Sequence, residues 1–256
     1  MLYDSAFISK LNKRAYWVPT RNEYTRIYNE LNSSYSPKDS VKIILNQLSA
    51  IMNNSRDGVS EIQQKRLRSG LIENISQSTM SVAGKNYEAL VGYSLEMNRI
   101  YGNLPRNLII SLVTKRSQFI GKYATINIGN ETQKPDVDLA IYKETPNSPI
   151  IICSTKTSLR ERAGQSYKWK LLLDISRCNC KHDDGCPLNN YQIEYPAQRD
   201  IYMFFITADF YNEIHQPQQR GMFAFFDGTY VSKDIENTSY IKKLSDIIED
   251  INNIFN

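Results

Sequence analysis

The stretch Lys134-Pro135-Asp136-Val137-Asp138-Leu139-Ala140-Ile141, followed by Ile150-Ile151-Ile152-Cys153-Ser154-Thr155-Lys156, decides how the rest of the chain is read. Both halves are short apolar runs rich in β-branched residues, bounded by polar and turn-forming residues, so residues 137–142 and 149–154 read as strands. Side chains alternate along a strand with a period of two. That period puts Asp136 and Asp138 on one face and Val137, Leu139 and Ile141 on the other. On the second run Ser154 shares its face with Lys156, at the strand's end, while Cys153 and Thr155 point the opposite way. Paired as a hairpin, the two strands bring two carboxylates and an amine to one sheet edge.

The segments on either side fit a sheet covered by helices. Before the hairpin, residues 108–113 and 123–128 read as strands, and 86–101 is an amphipathic helical run with Tyr87, Leu90, Val91, Leu95 and Met97 as its apolar members. After it, residues 158–175 read as a long helix, 176–199 as a polar, Cys-rich loop, and 201–207 as a buried central strand. A strand at 222–226 ends at the turn pair Asp227-Gly228. A helix over 239–255 carries Ile241, Leu244, Ile248, Ile251 and Phe255 on one stripe, for docking on its own domain or on a second copy. The first 80 residues read as helices: one over 22–31, one from Pro37 with Asp39 or Ser40 as cap, a turn cluster over 53–58, and one from Val59. The expected fold is α/β, a mixed central β-sheet flanked by helices, with a helical N-terminal region. The expected division is 1–80 for that region and 81–256 for the core, with a Cys-rich insert at 176–199 and the C-terminal helix.

Composition narrows the classes. With 256 residues, 41% of them hydrophobic, the chain is long and apolar enough for one large domain, and disorder is excluded. No run approaches the roughly 20 apolar residues of a membrane span, and residues 1–10 do not read as a secretory signal. Four cysteines without an export signal read as reduced thiols or metal ligands, and the expected location is cytoplasmic. A net charge of +4 permits a polyanionic partner.

Two carboxylates and a lysine at one edge suit phosphodiester hydrolysis. Carboxylates hold Mg²⁺, a hard cation that prefers oxygen ligands and retains waters. The metal offsets charge on the phosphoryl oxygens and favours an attacking water. A lysine beside it orients the nucleophile and stabilises the transition state. Glu88, at the start of the helix opened by Gly84-Lys85-Asn86-Tyr87, is the candidate further acid.

Pro-Asp on one strand, x-x-Lys on the next and a preceding helix with a glutamate resemble the PD-(D/E)XK nuclease superfamily. The run Ser154-Thr155-Lys156-Thr157-Ser158-Leu159-Arg160-Glu161-Arg162 resembles the catalytic lysine segment of type II restriction endonucleases, and Arg220-Gly221-Met222-Phe223-Ala224-Phe225-Phe226-Asp227 resembles a downstream segment of BsaWI-like members. The resemblance covers about residues 83–227. It implies a restriction-endonuclease-like core with Asp136 or Asp138 as metal-binding aspartate, Lys156 as catalytic lysine and Glu88 as helix acid, Mg²⁺ being held by Asp136, Asp138 and Glu88. Ser154 stands where the motif has Asp or Glu. A subgroup that cuts CCGG-type sites also has Ser or Thr there and takes an acid from the following helix. Here that helix offers Glu161, about 7.5 Å along it from Lys156, and, further on, Asp174.

Other residues carry secondary expectations. Arg160, Arg162, Lys168 and Lys170 lie along one helix and face either phosphates or solvent. Gln219 and Arg220, near His215, are candidates for reading base edges. Lys65, Arg66 and Arg68 are a solvated face or a phosphate contact. Cys178, Cys180, His182 and Cys186 make a possible structural Zn²⁺ set, though the spacing is not a common one. Cys153 reads as a small core residue. The expected activity is a sequence-specific, Mg²⁺-dependent type II restriction endonuclease acting on double-stranded DNA as a homodimer. The alternatives are a non-catalytic DNA-binding module of the same fold, a repair or junction nuclease, and a zinc-stabilised interaction domain.

Overall fold

The computed structural model describes residues 5–113, 118–157, 162–182, 185–186, 190–197, 199–209 and 217–256. Six helices come first: α1 (Ala6–Asn12), α2 (Trp17–Asn32), α3 (Pro37–Ile43), α4 (Leu48–Asn54), α5 (Arg56–Arg68) and α6 (Ile75–Ile100). Their starts follow local chemistry. Ser36 accepts a hydrogen bond from the Asp39 amide and Pro37 takes the first helical turn, so α3 begins there. Asn74 accepts from the Gln77 amide and starts α6 eleven residues ahead of the expected point. The cluster expected as a turn over 53–58 is helix on both sides of Ser55. Gly58 lies inside α5 because a Cβ there would sit 3.0 Å from Pro19 Cβ on α2; the residue permits close packing rather than a turn.

The remaining elements are β1 (Ile109–Leu112), α7 (Gln118–Tyr123), β2 (Ile126–Ile128), β3 (Glu131–Gln133), β4 (Leu139–Tyr142), β5 (Ile150–Lys156), α8 (Arg162–Arg177), β6 (Ile193–Glu194), β7 (Ile201–Thr207), α9 (Pro217–Gly221), β8 (Gly228–Val231), β9 (Lys242–Lys243) and α10 (Ile247–Phe255). The main sheet has the order β1-β4-β5-β7-β8-β9. Its β1, β4 and β5 are antiparallel neighbours, and β5, β7, β8 and β9 run parallel. A second, small antiparallel sheet has the order β3-β2-β6. The expected hairpin is present, with Leu139 opposite Cys153 and Tyr142 opposite Ile150.

Three further segments differ from expectation. The strand expected over 123–128 is only Ile126–Ile128, because Tyr123 closes α7. Residues 222–225 form a single 3-10 turn, and the strand follows as β8. Phe223 and Phe226 pack on the Phe205 ring, and the Asp227 carboxylate accepts from the Met203 amide at 2.7 Å, so this apolar run plugs the sheet rather than joining it. The last helix begins at Ile247, after β9 and a 3-10 turn over Leu244–Asp246.

The sheet separates two apolar clusters. On one face Leu139, Ile141, Ile151, Cys153, Phe204 and Ile206 meet residues of α1–α4, α6 and α10. On the other, Ile150, Ile152, Met203 and Phe205 meet Leu173 of α8, Ile193 of β6 and Phe223. The stripe of α10 docks on its own chain through Ile247, Ile248, Ile251 and Phe255. The architecture is thus a mixed central sheet flanked by helices, with a helical N-terminal region. Among the described residues no helix is long and apolar enough to cross a membrane.

One glycine marks how closely α6 lies on the sheet. A Cβ at Gly92 would fall 2.7 Å from Phe7 Cζ and 2.9 Å from Leu139 Cδ1. Gly92→Ala is therefore expected to lower stability by about 1–2 kcal/mol, since overpacking exceeds the gain in helix propensity. Urea denaturation would show it as a lower midpoint at unchanged slope.

Candidate active site

β5 is buried along its whole length and ends at Lys156, where parallel β7 ends beside it at Thr207. The Lys156 side chain is 9% exposed, and its Nζ donates to Asp136 Oδ2 at 2.8 Å and to Asp138 Oδ2 at 3.2 Å. Asp138 is largely covered, whereas the Asp136 side chain is 46% exposed and opens the cluster to solvent. Both acids meet the lysine, but not by strand alternation. β4 starts only at Leu139, Asp138 sits in a bend, and Val137 packs in the opposite cluster from Leu139 and Ile141.

Thr155 holds the bend. Its amide donates to Asp138 Oδ2 at 2.7 Å and its hydroxyl to the same oxygen at 3.2 Å. A carboxylate thus takes the place of the next strand-to-strand bond and is fixed beside Lys156. Thr155 was not among the residues expected at the site. The only signal in the sequence is a hydroxyl residue next to the lysine at a strand end.

Glu88 comes from α6 and is half-buried. Burial pushes its carboxyl up to about 7, and the charges of Asp138 and Asp136 add to this, while Lys156 and Arg14 oppose it. Asp138 also lies above the ordinary aspartate value, because burial outweighs the Lys156 charge and the Thr155 amide. For Lys156 burial works against the charge, yet Asp138 and Asp136 outweigh it and raise its pKa. Three carboxylates and one ammonium therefore form a single electrostatic unit.

The other expected residues are placed as follows. Ser154 is fully buried, and its Oγ lies 3.1 Å from Ser166 Oγ on α8, so it fastens that helix to the strand. Asp174 is bound by Lys170 Nζ at 2.5 Å, and the same Nζ lies 3.4 Å from Asp227 Oδ1. Asp227 accepts from Met203, which pairs with Ile152, four residues short of Lys156. Four strand residues span about 13 Å, so Asp174 is not the acid that completes the site. Lys170 is buried in this cluster, which corrects its reading as a phosphate or solvent contact. Lys168 is exposed on α8, and Arg220 is half-exposed in the last turn of α9, which also contains Gln219. Arg162 opens α8. Glu161, Arg160 and His215 lie outside the described residues.

Cys178 and Cys180 are joined as a disulfide, with Cα atoms 5.4 Å apart, which corrects their reading as reduced thiols. In that form neither sulfur is a thiolate, so the set Cys178, Cys180, His182 and Cys186 is not assembled as zinc ligands. Cys186 is free, and Cys153 is a buried core thiol as expected.

Among the described residues no three Asp, Glu, His or Cys side chains are gathered closely enough to hold a metal by themselves. The donor chemistry at Lys156 nevertheless fits Mg²⁺. Two converging carboxylates, with a third nearby, are hard oxygen ligands, and Mg²⁺ completes its shell with water.

A family model described as BsaWI restriction endonuclease type 2 matches residues 110–255, more than half of the chain. A protein of Methanocaldococcus jannaschii named "Putative type II restriction enzyme MjaVIP" is 30% identical over 143 residues, covering 52% of this chain and 55% of that protein. The chain thus spans about half the length of that curated relative.

Proposed function

Because the chain belongs to the BsaWI family of type 2 restriction endonucleases, we propose that it is a sequence-specific, Mg²⁺-dependent endonuclease of double-stranded DNA. The observation that carries this reading is the convergence of Asp136 and Asp138 on Lys156 at the end of β5, inside the matched segment. Asp136, Asp138 and Glu88 would hold the metal, which supplies Lewis-acid stabilisation of charge on the scissile phosphate.

The chain's own residues do the rest. Thr155 fixes the orientation of the Asp138 carboxylate. Lys156, kept protonated by its two acids, offers N–H groups to the attacking water and the phosphate oxygens, where negative charge develops. Water attacks phosphorus in line and the 3′ oxygen leaves, giving 5′-phosphate ends. Ser154, tied to Ser166, keeps α8 seated on the strand that presents Lys156. The chemistry resides in residues 81–256. Cutting both strands of a symmetric site calls for two such centres related by a two-fold axis, hence a homodimer.

Incubation with plasmid DNA and Mg²⁺ is expected to give discrete fragments, and EDTA to abolish them. Sequencing the fragment ends then gives the recognition site. One observation favours a second reading: Ser154 faces α8, and Asp174 is engaged elsewhere, so neither supplies the acid of the usual motif. A non-catalytic DNA-binding module would bind plasmid without cutting it, and Lys156→Ala would leave that binding unchanged.

A further inference from the structure

Helix α6 carries Glu88 at the site and then runs past it. A cavity of about 320 Å³ is lined by Arg56 of α5, Thr79 and Ala83 of α6, and Thr157 and Ala208, which directly follow β5 and β7. The start of α5 and the first half of α6 therefore line the same cavity as the residues that follow Lys156 on β5 and Thr207 on β7, and the turn joining α5 to α6 lies beyond them along both helices. Ser78 Oγ donates to the buried Gln63 Oε1 at 2.8 Å and ties the two helices together.

The tip of this hairpin is capped and basic. α5 closes with Gly70 in the left-handed conformation, φ 72°. The Gly70 amide donates to Leu67 O at 3.0 Å and the Leu71 amide to Arg66 O at 2.9 Å, the two bonds of a Schellman cap. Its last turn holds Lys65, Arg66 and Arg68. Lys65 and Arg68 are exposed and Arg66 half-exposed, and among the described residues no ion pair joins any of the three. Leu71, 70% exposed, stands beside them and is not folded back on the helix.

We propose that this tip grips the phosphate backbone of the duplex outside the cleavage site, through Lys65, Arg66 and Arg68. The inference rests on the nuclease reading above and deepens it by naming a flanking-DNA contact. Its reach follows from helix geometry. Met80 and Ile75 lie about 12 and 20 Å along α6 from Glu88. With α6 running along the duplex, at about 3.4 Å per base pair, the proposal puts the grip about four to six base pairs from the scissile bond.

The test compares wild type with the triple variant Lys65→Gln, Arg66→Gln, Arg68→Gln by fluorescence anisotropy, with EDTA present to keep the DNA intact. On a 40-bp duplex around the cut, mapped by end sequencing, the variant is expected to bind roughly tenfold or more weakly at 0.15 M salt. The slope of log affinity against log salt should be shallower by roughly 2–3, at about 0.9 per lost phosphate contact. On a duplex ending three base pairs from the cut, the two proteins should bind alike. Lys38→Gln, near the far end of α6, should leave the slope unchanged. Equal slopes on the long duplex, or an equal loss on the short one, overturn the proposal. So does a changed sedimentation coefficient with unchanged DNA affinity, which would make the tip a contact between copies. If plasmid is bound but never cut, the nuclease reading has failed, and the slopes on any 40-bp duplex still decide the grip.

Discussion

Replacing Lys156 with alanine is expected to slow plasmid cleavage roughly a thousandfold at saturating Mg²⁺ while leaving DNA binding within a few-fold of wild type. The magnitude follows from removing a buried, pre-oriented donor from the place where charge develops, an effect of about 10²–10³ or more. The geometry makes the loss hard to compensate. Lys156 Nζ holds both Asp136 and Asp138, and no other cation among the described residues forms an ion pair with either acid. Its removal also leaves the covered Asp138 carboxylate without its counter-charge, so without metal the variant should be less stable than wild type near pH 8. Added Mg²⁺ should restore much of that stability, because the metal replaces the ammonium. Lys156→Arg should rescue stability more than rate, since a planar guanidinium in a 9% exposed slot cannot reproduce the donor geometry of the ammonium. Cleavage by Lys156→Ala at the wild-type rate would remove the lysine from the mechanism.

How far this site is legible in the sequence depends on the range of the interactions that build it. The β4–β5 hairpin and the lysine at its end follow from alternation and β-branched runs, which are local. The meeting of Asp136 and Asp138 at Lys156 was expected, but for the wrong reason. The sequence pattern extends the strand to Val137, whereas Thr155 captures Asp138 and bends the chain one residue before Leu139. The run Met222–Phe226 has strand composition, yet aromatic contacts to Phe205 and the bond from Met203 to Asp227 override it. Lys168 and Lys170 lie about 200° apart on α8, so the helix period puts them on opposite faces without saying which face is buried. Only the tertiary fold brings Asp227 to Lys170 and leaves Lys168 in solvent. The Cys178–Cys180 bond was missed because redox compartment argued against it, while two-residue spacing carries little information of its own.

Glu88→Gln is expected to change stability and activity in opposite directions. The unfolded chain releases this proton near 4.5 and the folded chain near 7. Between those values the folded state holds more protons than the unfolded one. By linkage, stability then falls as pH rises, with no loss below about 4.5 and the whole loss present above about 7. For a half-buried carboxyl this amounts to about 1–3 kcal/mol. Glutamine keeps the shape without the charge, so the metal-free variant should match wild type near pH 4.5 and exceed it by about 1–3 kcal/mol at pH 8. Measured as Tm against pH in EDTA, the gap should open across that window; a gap independent of pH would mean that burial and the neighbouring acids do not raise the Glu88 carboxyl. Mg²⁺ should stabilise wild type more than the variant at pH 8, because the ion relieves the repulsion that the substitution has already removed. Cleavage, by contrast, should drop by roughly a hundredfold, since a metal-ligating or proton-handling carboxylate is lost. A variant that is both more stable and fully active would make Glu88 a helix-face residue, and would move the search for the third acid to the segment that follows Lys156.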